Sequence, residues 1–376
     1  MVDLAEIQSS SAISNYLRSR IATGDFPSAV YVVAEKGRPV FADAIGDAVR
    51  QPARHPATLN TIYDLASLTK PLITGLLCAQ LVDPGKLDFD SSVATYLEEF
   101  DRPDKDAITV RELLTHTSGL PAWRPLYLLS DSVDGALATI ANEALEYPPG
   151  ERVIYSDLGF ITLGFLLARL TGNSLIDLVR QHILEPLALQ QTFFNPGAAL
   201  RTGIAACETG NAYERDMCER DFRVSDRAHW RDEIIWGQVH DGNANFLGGA
   251  AGHAGLFSNA KETLTIANQF IGAQSRLLSK KTCELFRQNL TPGLNESRSF
   301  AWQMAATTGS TAGAALPEDA FGHTGFTGTS CWIDAGRERI FILLTNRTHQ
   351  RSLPFANLNS VRREFHTLAV AALNSL

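Results

Sequence analysis

Residues 28–34 read S-A-V-Y-V-V-A, a run of small, β-branched and aromatic side chains that stops before the Lys36-Gly37 turn. Such a run predicts a β-strand, and residues 39–45 predict its hairpin partner. A second hairpin is predicted near the other end of the chain, from residues 329–335 and 339–345. Because tight turns join these consecutive strands, we expect them to pair antiparallel.

The stretch between the two hairpins predicts helices and loops. Apolar periodicity and boundary residues indicate helices at residues 110–114, 134–145, 158–170 and 174–183, with two more beside the strands at residues 7–21 and 358–373. The simplest fold is α/β (α+β): an antiparallel sheet built from both chain ends, flanked by helices, with a mostly helical insertion. We predict a sheet domain of residues 1–86 and 261–376, an inserted helical domain of residues 87–260, and an active site between them.

The composition excludes several classes of protein. The chain has 376 residues, 45% of them hydrophobic, and a net charge of −8, which is an ordinary globular composition. The acidic balance predicts no nucleic-acid partner, since such proteins usually carry a basic surface. The longest uncharged apolar run, residues 242–260, is too rich in glycine to predict a membrane span. No signal peptide is visible, which predicts a cytoplasmic protein, or a periplasmic one if a leader has been removed.

Neither the cysteines nor the histidines form a recognisable framework. The five cysteines are odd in number and include no C-x-x-C pair, so we predict free thiols in a reducing compartment. The spacings of His229, His240 and His253 match no standard zinc motif. We therefore predict no metal site.

The first candidate for chemistry is Ser67-Leu68-Thr69-Lys70, which begins an apolar helical stretch that ends near Asp83. Residues three apart share one face of a helix, so the Lys70 amine can reach the Ser67 hydroxyl. A serine hydroxyl needs such a neighbour to become a nucleophile. On this motif alone, a helix cap with a solvated lysine explains the residues equally well.

A second S-x-x-K sequence shows how weak the motif is by itself. Ser258-Asn259-Ala260-Lys261 precedes a helical stretch at residues 262–271, and here we predict that Ser258 is simply the N-cap.

Two further motifs distinguish the first serine from the second. Of the eight tyrosines, only Tyr155 is followed two positions later by Asn or Asp, in Tyr155-Ser156-Asp157. His323-Thr324-Gly325 then enters the C-terminal strand region. Taken singly, Tyr155 could be a packed phenol and Gly325 a permissive glycine at a strand edge.

The order S-x-x-K, Y-x-N, [KHW]-x-G resembles the serine β-lactamase and penicillin-binding protein superfamily. The tyrosine version resembles class C β-lactamases, DD-carboxypeptidases, D-aminopeptidases and related esterases, and the resemblance runs from about residue 14 to the C-terminus. The stretch at residues 108–120, which contains His116 in a turn where we predict a structural hydrogen bond, is also similar. Residues 239–255 look most like a penicillin-binding-protein-4B-like or muropeptide-amidase-like branch.

The resemblance implies a serine hydrolase that forms an acyl-enzyme on Ser67, without a metal or cofactor. Lys70 and Tyr155 would activate Ser67, and which of them first accepts the proton stays open. The backbone N–H groups of Ser67 and Phe326 would form the oxyanion hole. The residues implied in substrate binding are Asp157, His323, Thr324, Gly325 and His253.

Two departures from the family pattern affect the substrate. Asp157 stands in place of the usual Asn and, when ionised, accepts hydrogen bonds but cannot donate them. His323 replaces Lys, so we expect a cation that titrates near neutrality. The predicted substrates are amides or esters of small D-amino-acid-containing or muropeptide-like molecules. The alternatives are a carboxylesterase, a weak β-lactamase, or a catalytically silent sensor of peptidoglycan fragments.

Overall fold

A computed structural model describes residues 4–222, 230–349 and 352–376 of the chain. Its main sheet has seven antiparallel strands in the order β3-β2-β1-β9-β8-β7-β6, and β4 and β5 form a separate antiparallel pair. The strands are β1 Ser28–Glu35, β2 Arg38–Val49, β3 His55–Pro56, β4 Tyr63–Asp64, β5 Phe257–Ser258, β6 Gln303–Met304, β7 Phe321–Thr324, β8 Ser330–Asp334 and β9 Arg339–Thr345.

Thirteen α-helices lie in the described chain outside the strands. The α-helices are α1 Ser11–Ala22, α2 Leu76–Val82, α3 Val110–Leu114, α4 Leu126–Leu129, α5 Ala136–Asn142, α6 Asp157–Thr171, α7 Leu175–Val179, α8 Glu185–Leu187, α9 Ala212–Asp221, α10 Gly242–Phe246, α11 Ala260–Ala267, α12 Lys280–Leu285 and α13 Asn359–Asn374. Two π-helical segments precede α2 and α8, and short 3₁₀ turns occupy Leu4–Glu6, Ala66–Leu68, Val93–Thr95, Glu98–Phe100, Ala198–Gly203 and Asn268–Phe270.

The sheet is buried on both faces, which is why its central strands are almost continuously apolar. In β1, Tyr31 and Val33 face a cluster that includes residues of α1 and α13. Val30 and Val32 face the opposite cluster, which extends into the helical region. This layering confirms the predicted α/β fold with an antiparallel sheet from both chain ends.

The chain between β3 and β6 carries most of the helices, as expected for an insertion. The exact division at residues 86 and 260 stays a prediction. The predicted N-cap at Ser258 is wrong: Ser258 pairs with Tyr63 in the short β4–β5 ladder. The cap of α11 is the next residue, Asn259, whose side chain accepts from the Glu262 N–H.

The cysteines and the helix lengths bear on two further expectations. All five cysteines are free and buried, which confirms the predicted free thiols. Within the described residues, no single helix combines the length and apolar composition needed to cross a bilayer; α6 and the following segment Leu175–Leu187 reach that length together, but with a 78° bend between them.

Candidate active site

Ser67 lies at the start of the helical segment that leads into α2. The chain enters this segment through Ala66, whose φ of +47° is left-handed and unfavourable for a residue with a side chain. The Ala66 N–H donates to Asp64 Oδ1 at 2.8 Å, which fixes this turn. The half-buried Ser67 is thereby held at the wall of a cavity, at the N-terminal end of the segment.

Lys70 brings its amine to the Ser67 hydroxyl, as the spacing predicts. Its side chain is fully buried, and Nζ donates to Ser67 Oγ at 3.0 Å and to the His253 carbonyl at 3.2 Å. Nζ also lies 4.8 Å from the centroid of the Tyr155 ring. Ser67, Lys70 and Tyr155 therefore meet in the folded chain, although their catalytic roles stay predictions.

His116 fixes the position of Tyr155. The His116 carbonyl accepts from the Ile154 N–H at 3.0 Å, and its ring Nδ1 accepts from the Ser156 N–H, also at 3.0 Å. Burial, together with the positive charges of Arg298 and Lys70, holds the pKa of His116 well below its usual value. The imidazole is therefore neutral, as its accepting role at Nδ1 requires.

Tyr155 is poised between opposing influences. Burial raises its pKa, while Lys70 and a hydrogen bond to Ser67 favour the phenolate; the Asp157 charge opposes ionisation. The net result is a pKa above the usual value for tyrosine, so the phenol stays protonated at neutral pH.

Asp157 contacts Lys70, which the sequence pattern does not predict. It is the first residue of α6, and its Oδ1 lies 2.7 Å from Lys70 Nζ in an ion pair. Burial alone would lower the pKa of Lys70, but the charges of Asp157 and Tyr155 raise it above its usual value. Lys70 is accordingly an ammonium group in this structure.

His323, the third-motif residue, is neutral rather than cationic. It lies on β7 in the cavity wall, and its Nδ1 lies 2.9 Å from the Thr324 carbonyl. Burial and the charges of Lys70 and Arg298 hold its pKa well below the usual value. The expected titration near neutrality is therefore wrong, because the sequence does not reveal burial beside two cations. Since Nδ1 carries the proton, Nε2 is left as an acceptor.

Glycine is required at position 325 because there is no room for a side chain, and not because the backbone adopts a conformation that favours glycine. A Cβ at this position would collide with Thr329 Oγ1 and would come within 2.5 Å of the Leu65 carbonyl. Thr324, Gly325 and Phe326 line the cavity next to Ser67. Within the part of the chain that the structure describes, no backbone acceptor binds the Phe326 N–H, so it is available for the predicted oxyanion hole.

His253 lies beneath the cavity and not in its wall. Its side chain is fully buried, and Nε2 lies 2.9 Å from Asp241 Oδ1. Such burial does not agree with the predicted substrate contact by this side chain. What His253 contributes to the site is its carbonyl, which accepts from Lys70.

Asp157, Asp241 and His253 each place a possible metal-ligating atom within 4.8 Å of the other two. Asp157 already forms an ion pair with the Lys70 ammonium, whose positive charge disfavours a divalent cation at this position. His229, the remaining histidine of the sequence argument, lies outside the described residues. We assign no metal to this group.

The cavity above these residues has a volume of about 670 Å³. Sequence reasoning missed several of its charged wall residues, which are Glu214, Arg298, Arg347 and Arg362. The sequence does carry a signal for Arg362: it falls on the apolar stripe of α13, with Val361, Phe365 and Ala369, where a charged residue is unexpected. Burial raises the pKa of Glu214 to about 7, and the neighbouring Asp241 contributes to the shift.

Comparison with protein families identifies this arrangement. The Beta-lactamase family model matches residues 13–361. This chain belongs to the β-lactamase family. It is accordingly a serine hydrolase of the β-lactamase and penicillin-binding protein superfamily, which confirms the resemblance seen in the motifs.

Two curated relatives of this β-lactamase-family chain are named as a carboxypeptidase and an amidase. A putative D-alanyl-D-alanine carboxypeptidase of Escherichia coli (strain K12) is 32% identical, with 86% of this chain and 79% of the relative covered. An N-acetylmuramyl-L-alanine amidase of Bacillus subtilis (strain 168) is 33% identical, with 90% and 80% covered.

Solved structures show that the fold is shared more widely. EstCE1, a hydrolase with promiscuous acyltransferase activity, gives a TM-score of 0.73 at 21% identity over 98% of both chains. A class C beta lactamase from Rhodobacter sphaeroides gives 0.72 at 20% identity, over 98% of this chain and all of the other. At these identities the likeness establishes the fold alone.

Proposed function

We propose that this hydrolase cleaves amide or ester bonds of small D-amino-acid-containing or muropeptide-like substrates through an acyl-enzyme on Ser67. The observation that carries the proposal is the 3.0 Å contact between Lys70 Nζ and Ser67 Oγ at the wall of a large cavity. The names of the curated relatives, a carboxypeptidase and an amidase, support the substrate class.

In the proposed reaction, Ser67 Oγ attacks the substrate carbonyl, and the proton that it loses passes through Lys70 to Tyr155 as Tyr155 gives its own proton to the leaving group. The backbone N–H groups of Ser67 and Phe326 stabilise the oxyanion, where one donor is typically worth about 3 kcal/mol. Tyr155, which is protonated in the resting site, donates to the leaving group. In deacylation Tyr155 takes a proton from the attacking water, while a proton passes back through Lys70 to Ser67 Oγ. Acid–base assistance of this kind contributes roughly 10²- to 10⁴-fold.

The charges in the cavity wall fit a substrate that carries a carboxylate. Arg347 and Arg362 both face the cavity, and neither forms an ion pair with a carboxylate of the described residues. Arg362 is 5% exposed, and its Nε has no hydrogen-bond partner among those residues. A buried cation without a counter-ion favours an anionic ligand group.

The nucleophile is tested by intact-mass spectrometry after treatment with a fluorophosphonate probe. We expect one adduct on the wild-type chain and none on Ser67→Ala. The chain offers a matched control in its second S-x-x-K sequence: Ser258→Ala should keep the adduct, because the Ser258 hydroxyl is buried and bonded to Thr192. An adduct that survives Ser67→Ala would refute Ser67 as the nucleophile.

The substrate class is tested separately, by comparing kcat/KM across three sets of compounds. We expect D-Ala-D-Ala peptides or muropeptide amides to exceed short p-nitrophenyl esters. One observation favours a carboxylesterase as second candidate: the Asp157 carboxylate cannot donate to a substrate amide carbonyl as an Asn would. Turnover of the esters alone would establish that candidate in place of the first.

A further inference from the structure

The contacts of Lys70 differ from those that the family pattern implies. Besides Ser67 Oγ and the His253 carbonyl, its amine faces the carboxylate of Asp157 at 2.7 Å. Two of these partners, the carbonyl and the carboxylate, can only accept, and the negative charge of the carboxylate favours the ammonium form of Lys70. A neutral amine, which could itself take the Ser67 proton, would leave the Asp157 carboxylate without its counter-ion.

The same carboxylate changes the expected state of Tyr155. A buried ammonium can be balanced by one anion at low cost, but a second anion beside it is expensive. Asp157 is the residue that supplies that anion, and its charge acts on Tyr155 as well as on Lys70. A Tyr155 phenolate would then face a carboxylate as well as the ammonium. The raised pKa of Tyr155 agrees with this picture.

We propose that Asp157 is a positioning residue that acts through Lys70 and accepts a proton during acylation. This inference rests on the proposed function. As Ser67 Oγ bonds to the acyl carbon, its O–H bond breaks and an N–H bond forms at Lys70 Nζ. At the same time one Nζ–H bond breaks and an O–H bond forms on Asp157. Lys70 begins and ends as an ammonium: the proton on Asp157 returns to Lys70 as Lys70 passes one to Tyr155, and Tyr155 gives its own proton to the leaving group.

The other charged groups near Lys70 do not account for such a step. Those whose charges act on it or respond to it are His116, Tyr155, Asp241, His323 and Arg298. The two histidines are neutral, and Asp241 is already engaged by His253. Arg298 is paired with Glu296 at 2.6 Å. Among these groups, Asp157 alone combines a free negative charge with direct contact to the amine.

The test is the second-order rate constant of fluorophosphonate labelling at Ser67, measured by intact mass from pH 5 to 10. For the wild type we expect a plateau from about pH 6 to 9, since the raised pKa values of Lys70 and Tyr155 keep both groups protonated throughout this range. A rate that still climbs through pH 9 would show that Lys70 or Tyr155 must first lose a proton, and would overturn the proposal.

The decisive variant is Asp157→Asn, which restores the residue typical of the family. We expect labelling at pH 7 to fall by roughly 10²-fold or more, with the rise displaced to higher pH, because Lys70 must now lose a proton on its own. Asp157→Glu should bring back the plateau. Circular dichroism and thermal unfolding show whether each variant is folded. If Asp157→Asn does not fold, the pH profile of the wild-type labelling rate tests the proposal by itself.

The two proposals fail in different ways. A wild-type chain that takes no label at Ser67 would refute the proposed function, and this inference with it. A labelled wild type whose Asp157→Asn variant keeps both rate and profile would refute the inference alone. In that case a raised KM for amide substrates in the variant would indicate that Asp157 binds the substrate directly.

Discussion

The imidazole of His116 lies against the phenol ring of Tyr155, with the ring centroids 4.6 Å apart. Through its carbonyl and its Nδ1, the same residue holds the backbone on both sides of Tyr155. His116 itself has a φ of +60°, a strained value that the surrounding contacts maintain. His116 therefore positions Tyr155, although within the described residues it forms no hydrogen bond with Ser67.

Replacing His116 should damage catalysis more than binding. In His116→Ala the Ser156 N–H loses its acceptor, at a cost of about 1–3 kcal/mol, and the phenol loses the ring beside it. We expect kcat to fall at least tenfold with a smaller change in KM. The substrate for this measurement is the compound with the highest kcat/KM in the comparison proposed above. His182→Ala, at an exposed position, is the matched control. Equal kcat values in the two variants would contradict the positioning role.

Replacing Lys70 should affect stability as well as activity. Lys70→Met leaves the Asp157 carboxylate without its counter-ion, so we expect a loss of about 3 kcal/mol in the free energy of unfolding. Adding Asp157→Asn to the same chain removes the unpaired charge and should recover most of this loss. The measurement is urea unfolding of both variants and the wild type. If the double variant is no more stable than the single one, the ion pair is energetically unimportant.

Gly325 should tolerate no side chain. Because a Cβ would meet Thr329 and the backbone of Leu65, Gly325→Ala must displace either β7 or the turn before Ser67. We expect fluorophosphonate labelling to fall at least tenfold, together with a lower Tm. Gly197→Ala is the control, since a Cβ there has nothing within 4 Å. Normal labelling of Gly325→Ala would mean that Thr329 and Leu65 can move to make room for the added Cβ.

Glu214 should make stability depend on pH. Its pKa is raised in the folded chain to about 7, against 4.5 in the absence of burial. The folded state therefore favours the neutral acid: this contribution is complete below about pH 4.5 and is lost as pH rises through about 7. Glu214→Gln removes the effect, so it should stabilise the protein at pH 8 by up to about 3 kcal/mol relative to wild type, at about 1.4 kcal/mol per pKa unit.

The comparison is made by thermal unfolding of Glu214→Gln and wild type at pH 5 and pH 8. Asp241, whose pKa is lowered chiefly by His253 against the effect of burial, is ionised at both pH values, so its own charge does not change across the comparison. Glu219→Gln, an exposed position on the same helix, should show no pH-dependent gain. A gain for Glu214→Gln that is equal at both pH values would contradict the raised pKa.

Features that depend on residues close together in the sequence could be predicted from the sequence alone. Helix α3 has the predicted bounds, and it carries a capping box between Thr109 and Glu112. The strands β1 and β9 also follow from local patterns, because both faces of each are apolar. The Lys70–Ser67 contact follows from helix geometry alone.

What could not be predicted depends on burial or on residues distant in sequence. The pairing of Lys70 with Asp157 joins two separate helical segments, and no local spacing reveals it. The neutral state of His323 depends on how deeply β7 lies beside two cations. Ser258 and Asn259 are both good cap residues, so composition could not decide which of them caps α11.

The placement of β1 between β2 and β9 has a consequence for biosynthesis. Ser28 at the start of β1 donates to Asn346, which lies 318 positions further along the chain. While the ribosome is still producing the helical insertion, β1 has a neighbour on one side only and presents an open edge. The sheet can close only after Arg339–Thr345 has emerged, so the nascent polypeptide must avoid aggregation for most of its translation.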